Sequence, residues 1–309
     1  MVSVLLAAYN GAAYLPQQLA SLQAQTEGRF RVLWQDDGSA DSTAELLATV
    51  SAQDDRFIPA AEQGMHLGAK ANFLSLLRQD DAPYSALCDQ DDLWRPDKLQ
   101  RCMAAMQAAE AQYGADTPLL VHHDCRLVSA DGSVLHGSFF LHQGWDAAAN
   151  TLAPLLVQNN VTGCACLMNA ALRRLVAEHM QPEVVFMHDW FIALTAAAFG
   201  RIVFVDAPLV DYRQHGSNVL GASRHSLLRR GLDALRMPER ARERIRLTYQ
   251  QARAFRDMYG DALPADASAI VDSYLAIEGL PKVKRITALQ RGGYLMQSAV
   301  TRLGQYIFT

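Results

Sequence analysis

Five short polar runs in this chain could do chemistry. Asp89-Gln90-Asp91-Asp92 puts three carboxylates into four residues, directly after the apolar run Tyr84–Cys88. Carboxylates that close repel unless something neutralises them, and hard oxygen donors select Mg²⁺ or Mn²⁺. Such an ion commonly fills its remaining positions with diphosphate oxygens; the competing reading is a solvated acidic loop. Asp36-Asp37-Gly38-Ser39-Ala40-Asp41 ends a second apolar run. A carboxylate there can accept from a pyrimidine imide or a ribose hydroxyl, while an Asp-Gly turn and a helix cap at Ser39 or Asp41 explain part of the pattern. Ala7-Ala8-Tyr9-Asn10-Gly11 ends the first apolar run. Gly11 permits a tight turn beside a ligand and Tyr9 offers a face to a base, though turn chemistry alone also accounts for it. In His188-Asp189-Trp190, Asp189 is either a helix cap or a general base that deprotonates an acceptor hydroxyl. In Tyr212-Arg213-Gln214-His215-Gly216, His215 could join a metal shell and Arg213 could pair with phosphate, or the run is a polar loop.

These runs need elements to position them. Val2–Tyr9, Phe30–Gln35, Arg56–Ala61 and Tyr84–Cys88 read as strands, the first as a strand buried on both faces. Ala12–Gln25, Asp41–Ala52, Ala69–Gln79 and Pro96–Tyr113 read as the helices between and after them. This alternation implies a parallel sheet with right-handed crossovers, whose ligand site lies beyond the carboxyl ends of the strands. Three of the polar runs sit at those ends. Beyond residue ~115 the pattern is mixed. Leu119–His123 and Cys125–Val128 read as strand, Leu152–Gln158 and Leu167–Glu178 as helix. Asp189–Phe199 reads as helix and Arg201–Asp206 as strand. His122-His123 imitates a metal pair, but adjacent strand residues point to opposite faces. No Gly-x-Gly-x-x-Gly or P-loop follows the first strand, which argues against a dinucleotide enzyme or an NTPase.

Composition narrows the class. The chain has 309 residues and a net charge of −4, so it is no general nucleic-acid binder. Residues 1–219 hold 13 Lys and Arg against 24 Asp and Glu, and residues 220–309 hold 15 against 8. The basic end could face anionic lipid or an anionic acceptor. Cys88, Cys102, Cys125, Cys164 and Cys166 form no C-x-x-C pair, which fits a reducing compartment. The N-terminus lacks a basic run before its apolar stretch and does not read as a signal peptide.

Taken in order and spacing, Ala7–Gly11, Asp36–Thr43 and Asp89–Trp94 resemble the family-two inverting glycosyltransferases with the GT-A fold. Asp89-Gln90-Asp91-Asp92-Leu93-Trp94, Asn159–Cys164 and Tyr212–Asn218 resemble the bacterial rhamnosyltransferase-like branch. The resemblance covers about residues 2–220. It implies an α/β fold, GT-A and Rossmann-like, with a mostly parallel sheet flanked by helices; from Ser226 onward the Arg-rich helical texture reads as a C-terminal helical appendage. The expected division is a glycosyltransferase domain over 1–221 and a basic helical region over 222–309. Within the domain, about 1–115 is the nucleotide-sugar half and 116–221 the acceptor half. The resemblance further implies a nucleotide-sugar site at Ala7, Tyr9, Asn10, Asp36, Asp37, Lys70, Asn72, Asp89 and Gln90. It implies Mn²⁺ or Mg²⁺ at Asp91 and His215, and a catalytic base at Asp189. Thr162, Gly163, His188, Trp190 and Arg213 would border the acceptor or form a lid, with loop 213–222 closing over the site.

The implied reaction is a single in-line displacement that moves a sugar from a nucleotide-diphosphate donor to a hydroxyl of a polysaccharide or lipid-linked acceptor and inverts the anomeric carbon. The donor leans to dTDP-rhamnose, with a UDP-hexose as the other choice. Processive relatives follow the base with Gln-x-x-Arg-Trp; here Trp190-Phe191-Ile192-Ala193-Leu194 follows, favouring one addition per encounter. Many relatives carry Glu-Asp where this chain has His188-Asp189. A cytoplasmic setting, peripheral at the membrane's inner face, is expected. Ile286, Leu289, Tyr294, Leu295 and Val300 among Lys and Arg allow either membrane contact or packing on the domain or a dimer partner. The alternatives are a sugar nucleotidyltransferase, whose glycine- and basic-rich first loop is missing, and a catalytically silent interaction module.

Overall fold

Alternate residues of the first strand point to opposite faces of a sheet, and nearly all of them are apolar, so both faces must be covered. A computed structural model, which describes residues 1–216 and 236–309, shows how. The front half runs β1 (Val2–Ala8), α1 (Leu15–Gln23), β2 (Phe30–Asp36), α2 (Thr43–Gln53), β3 (Phe57–Pro59), α3 (Ala69–Gln79), β4 (Tyr84–Asp89), β5 (Leu93–Trp94) and α4 (Lys98–Tyr113). The rest runs β6 (Leu119–Ser129), β7 (Val134–His136), α5 (Phe139–Gln143), α6 (Leu152–Val157), β8 (Cys166–Asn169), α7 (Ala170–His179), α8 (His188–Phe199) and β9 (Arg201–Gln214). Four helices follow: α9 (Pro238–Tyr259), α10 (Ala265–Ile277), α11 (Lys282–Gly292) and α12 (Ala299–Phe308).

One sheet joins all the strands in the order β3-β2-β1-β4-β8-β6-β9-β5, with β7 beside β6. β1 to β4 are mutually parallel, β8 runs antiparallel between β4 and β6, and β6 pairs parallel with β9. Val4 and Leu6 pack with Leu19, Leu47 and Met106 on one face. Leu5 and Leu87 pack with Phe73, Leu156 and Phe191 on the other.

Several elements differ from the sequence reading. Leu167–Glu178 divides into β8 and α7, because Leu167 and Met168 complete the sheet between β4 and β6. Asn169 ends the strand and caps α7, accepting from the Leu172 amide. A short apolar run does not by itself distinguish a buried strand from a helix. The last strand does not stop at Asp206. It continues to Gln214 through Pro208, which the sheet accommodates at a register shift opposite Asp124. β5 had no sequence signal of its own; only its pairing with β9 defines it.

The C-terminal helices share the core of the domain. Tyr249, Phe255 and Tyr259 of α9 pack with Phe191, Leu155 and Leu156, and the Tyr259 hydroxyl lies 2.9 Å from Thr195 Oγ1. Leu289 and Tyr294 are 1% and 3% exposed, so two anchors of the suggested membrane face are turned into the protein. No helix among the described residues is long and apolar enough to cross a membrane. Residues 217–222, which include Gly221 of the suggested lid and the 221/222 boundary, lie outside the described residues.

Gly200 joins α8 to β9 where the chain passes the Pro118 carbonyl. A Cβ there would lie 1.7 Å from Pro118 O, a backbone atom that cannot swing aside. Gly200→Ala should therefore destabilise by about 3 kcal/mol, as overpacking does. Urea unfolding would show a lower midpoint at unchanged slope; an unchanged midpoint would refute the contact.

Candidate active site

Register brings three of the polar runs together. Ala7 pairs with Asp89 of β4, and Ala8 with Asp36 of β2, so the ends of all three strands share one edge. There a cavity of about 800 Å³ opens, a volume suited to a small-molecule ligand. Gln90 clamps Tyr9 on both sides, accepting from its amide at 2.7 Å and donating to its carbonyl at 2.7 Å. A Cβ on Gly11 would fall 2.1 Å from Gln90 Oε1, so a larger residue there would push Gln90 off its clamp on Tyr9. Asp37 faces the cavity and accepts from the Leu67 and Gly68 amides at 2.6 and 2.7 Å, fixing the loop that leads into α3.

Asp36, by contrast, does not line the cavity. Its oxygens accept from the Gly38 and Ser39 amides and from Ser39 Oγ. Asn10, with φ 49°, also turns aside and accepts from the Ala40 amide. Lys70 donates to Val185 O at 2.7 Å and is likewise absent from the lining. Asn72 does line it, 2% exposed, with its Oδ1 lacking a hydrogen bond. Ala7, Tyr9, Asp89, Gln90 and Asp91 line it as well.

The acidic end is assembled by β5. Its antiparallel pairing, Leu93 with Asp211 and Trp94 with Val210, lays the 89–92 turn beside the end of β9. Asp91 Oδ2 thereby lies 2.7 Å from His215 Nε2, across 124 residues of sequence. Arg213 belongs to the support of this turn, and it is 1% exposed. It donates from its amide to Asp92 Oδ1 and from its guanidinium to Asp91 O, Ala130 O and Gln17 Oε1, so it does not face the cavity. Asp92 is buried behind the turn, and its Oδ2 has no hydrogen bond.

Burial and the charges of Asp91 and Asp189 push the Asp89 carboxyl up to about 7, while buried Lys98 pulls the other way. Asp92 is also raised well above the usual carboxylate range, by burial first. Asp89, Asp92 and Cys164 bring ligand atoms within 4.8 Å of one another. The Cys164 thiol, however, is held protonated, its ionisation pushed well up by a hydrogen bond with Cys125 and by burial, so it is a poor ligand for a hard ion. The donors that reach the cavity are Asp89 and Asp91, with His215 against Asp91. Oxygen and imidazole donors in a set of mutually repelling carboxylates fit a divalent cation.

Across the cavity, α8 begins with His188 and Asp189. Burial pushes Asp189 up to about 7, against hydrogen bonds from the Trp190 and Gly163 amides, the former at 2.6 Å. His188 is buried and pushed down to about 4, hence neutral, and its ring lies 4.5 Å from that of Phe73. A Cβ on Gly163 would meet His188 Nε2 at 3.0 Å, so the two residues pack tightly. Trp190 donates from its indole to Leu155 O at 2.7 Å, which locks α8 onto α6. Thr162, Gly163, His188, Asp189 and Trp190 all border the cavity.

The glycosyl transferase family 2 profile matches residues 3–179, more than half of the chain. The chain belongs to that family. An uncharacterized glycosyltransferase of Nostoc is 28% identical over 224 residues, covering 70% of this chain and 66% of the relative. The dTDP-rhamnosyl transferase RfbG of Shigella flexneri is 23% identical over 230 residues, covering 71% and 74%. The chain spans just under two thirds of the length of the Nostoc relative. TarS residues 1–349 of S. aureus, in complex with UDP-GlcNAc, superpose with a TM-score of 0.55 at 16% identity, over 99% of this chain and 90% of that one. The Pyrobaculum calidifontis mannosyltransferase with GDP-Man and Mn²⁺ gives 0.53 at 15%, over 98% and 86%. The fold is GT-A: a curled, mostly parallel sheet with flanking helices.

For a family 2 chain, several lining residues carried no local signal. His66, at φ 54°, lies under Gly38, where a Cβ would come within 2.5 Å of its ring. Phe139 and Trp145 wall the other end, their rings 4.9 Å apart. Asp124 builds that wall by accepting from the Phe139 and Phe140 amides at 3.0 Å. Phe186 and Arg244 complete the rim. None of these has a motif; they meet only in the fold. His122 and His123 stay out of the cavity as neutral buried rings, both pushed down by burial.

Proposed function

We propose that this chain moves a single sugar from a nucleotide-diphosphate donor onto a hydroxyl of a saccharide or lipid-linked acceptor, with inversion at the anomeric carbon. The observation that carries this reading is one cavity with Asp89 and Asp91 on one side and Asp189, raised to about 7, on the other. A base with that affinity for protons can accept the acceptor proton near neutral pH and release it afterwards. Asp189 takes the proton as the new C–O bond forms, its carboxylate oriented by the Trp190 and Gly163 amides. Neutral His188, wedged between Phe73 and Gly163, holds α8 in position without competing for that proton.

Asp89 and Asp91, backed by His215, would hold Mn²⁺ or Mg²⁺. Bound there, the ion supplies charge neutralisation for the departing diphosphate. Tyr9, Asp37 and Asn72 form the end left for the nucleoside, and the unpartnered Asn72 Oδ1 offers it an acceptor. The donor leans to dTDP-rhamnose through the likeness to RfbG; TarS and the mannosyltransferase were solved with UDP and GDP sugars, so UDP and GDP belong in the test.

Differential scanning fluorimetry against UDP, dTDP, GDP and CMP, each with Mn²⁺ and with EDTA, tests the reading. One diphosphate should raise the melting temperature with Mn²⁺ and not with EDTA, because a ligand bound only by the folded state stabilises it in proportion to ln(1 + [L]/Kd). No metal-dependent shift with any nucleotide would count against the proposed function.

A further inference from the structure

The cavity wall is acidic: Asp37, Asp89, Asp91 and Asp189 all line it. Among the described residues, Arg244 is the one Lys or Arg in that lining, and it comes from α9, beyond the residues matched by the family profile. α9 is tied to the rim by Gln251, whose Oε1 accepts from the Phe186 amide at 2.7 Å. Arg244 precedes Gln251 by seven residues, two helical turns, so both leave the same face of the helix.

The charges along α9 isolate Arg244 further. Arg242 pairs with Glu239, Arg246 with Glu243, Arg253 with Glu278 and Arg256 with Asp272. The side chains of Arg240 and Arg244, one turn apart and both exposed, take part in no ion pair or hydrogen bond among the described residues. Arg244 does not neutralise the carboxylates of the opposite wall either. A guanidinium is always charged, and its planar fork matches phosphate in bidentate fashion.

We propose that Arg244, assisted by Arg240, binds a phosphate group of a substrate in the cavity, and that α9 is part of the active site. This rests on the glycosyltransferase reading above. Two sources carry that chemistry: the donor's diphosphate, or a phosphate on the acceptor such as a lipid diphosphate.

Isothermal titration of the full chain with UDP, dTDP and GDP in Mn²⁺ reads the donor source. Titration with inorganic pyrophosphate, after saturation with the nucleotide that binds, reads the acceptor source. Arg244→Ala should weaken one of these by about 10- to 100-fold, as loss of charge-assisted hydrogen bonds does, and Arg240→Ala should weaken the same one by less. Arg244→Lys should recover only part of it, because an ammonium does not reproduce the fork. Arg244 is exposed, so the melting temperature without ligand should not change. Loss of nucleotide affinity assigns the donor; loss of pyrophosphate affinity alone assigns the acceptor. Unchanged affinity for both probes in Arg244→Ala overturns the proposal. If the wild-type chain binds no nucleotide, the glycosyltransferase reading fails, and pyrophosphate titrated alone onto wild type and Arg244→Ala still decides the role of Arg244.

Discussion

Asp189→Asn should lower the transfer rate by about 10²- to 10⁴-fold, the range for losing a general base, and at the same time make the protein more stable at pH 8. Both follow from one feature, a carboxyl pushed up to about 7 by burial. In the unfolded chain an aspartate loses its proton near 3.9. Between pH 4 and 7 the folded protein therefore holds a proton that the unfolded chain has released. Stability falls as pH rises through that window, and above 7 the penalty is constant. Asparagine is neutral throughout and carries no such penalty. At ~1.4 kcal/mol per pH unit the full difference would be several kcal/mol; the side chain borders an open cavity, so about 1–2 kcal/mol is the realistic gain.

Other perturbed groups bear on the sign. Asp89 is raised partly by the charge of Asp189, so removing that charge eases Asp89 in the same direction. His122, His123 and His188 are depressed. His122 and His188, pushed down to about 4, contribute stability above about 6.5 that is lost as pH falls towards 4, and His123 acts in the same direction; all three are present in both proteins and cancel in the difference. Thermal melts of wild type and Asp189→Asn from pH 4 to 8 would show curves that diverge as pH rises. Parallel curves would mean that Asp189 is not perturbed, and full activity in the variant would remove it as the base.

The second large effect is expected at Asp91. Asp91→Asn should abolish the Mn²⁺-dependent part of nucleotide binding. The loss in metal affinity should exceed the 10- to 100-fold that outer partners of metal ligands cost. Asp91 is the cavity-facing carboxylate that His215 touches, at 2.7 Å, so His215→Ala should weaken Mn²⁺ by a smaller factor in the same direction. In EDTA the Asp91→Asn protein should be no less stable than wild type, because one charge next to Asp89 has been removed. Mn²⁺ titration followed by electron paramagnetic resonance reads the affinity directly. If Asp91→Asn binds Mn²⁺ as tightly as wild type, the ion sits elsewhere, and Asp89 with Asp92 becomes the site to mutate.

The front half of the fold was legible because each element carried its own signal. α3 runs from Ala69 to Gln79 as its apolar spacing predicts, with Phe73, Leu74 and Leu77 inward. The carboxylates at 36–37 and 89–92 sit at strand ends because a parallel sheet leaves its carboxyl edge open to ligands. The back half was less legible for a physical reason. Cys166–Asn169 is too short and apolar to reveal its period, and only its two flanking strands make it β. Arg213 illustrates the same gap within the site. A conspicuous arginine in a polar run suggests phosphate, yet the fold buries it and its donors tie the 89–92 turn to Ala130 and Gln17.

By itself, then, the sequence determined the class of fold, the edge of the sheet where chemistry collects and the residue types gathered there, since these follow from local periodicity and from side-chain chemistry. Tertiary structure alone decided which of those residues face the cavity and which brace it. β5 against β9 joins Asp91 to His215, the loop after α7 brings His188 under Gly163, and α9 brings Arg244 to the rim. Each of these is a contact between segments far apart in the chain, and no local pattern encodes a pairing whose energy exists only once both partners are in place.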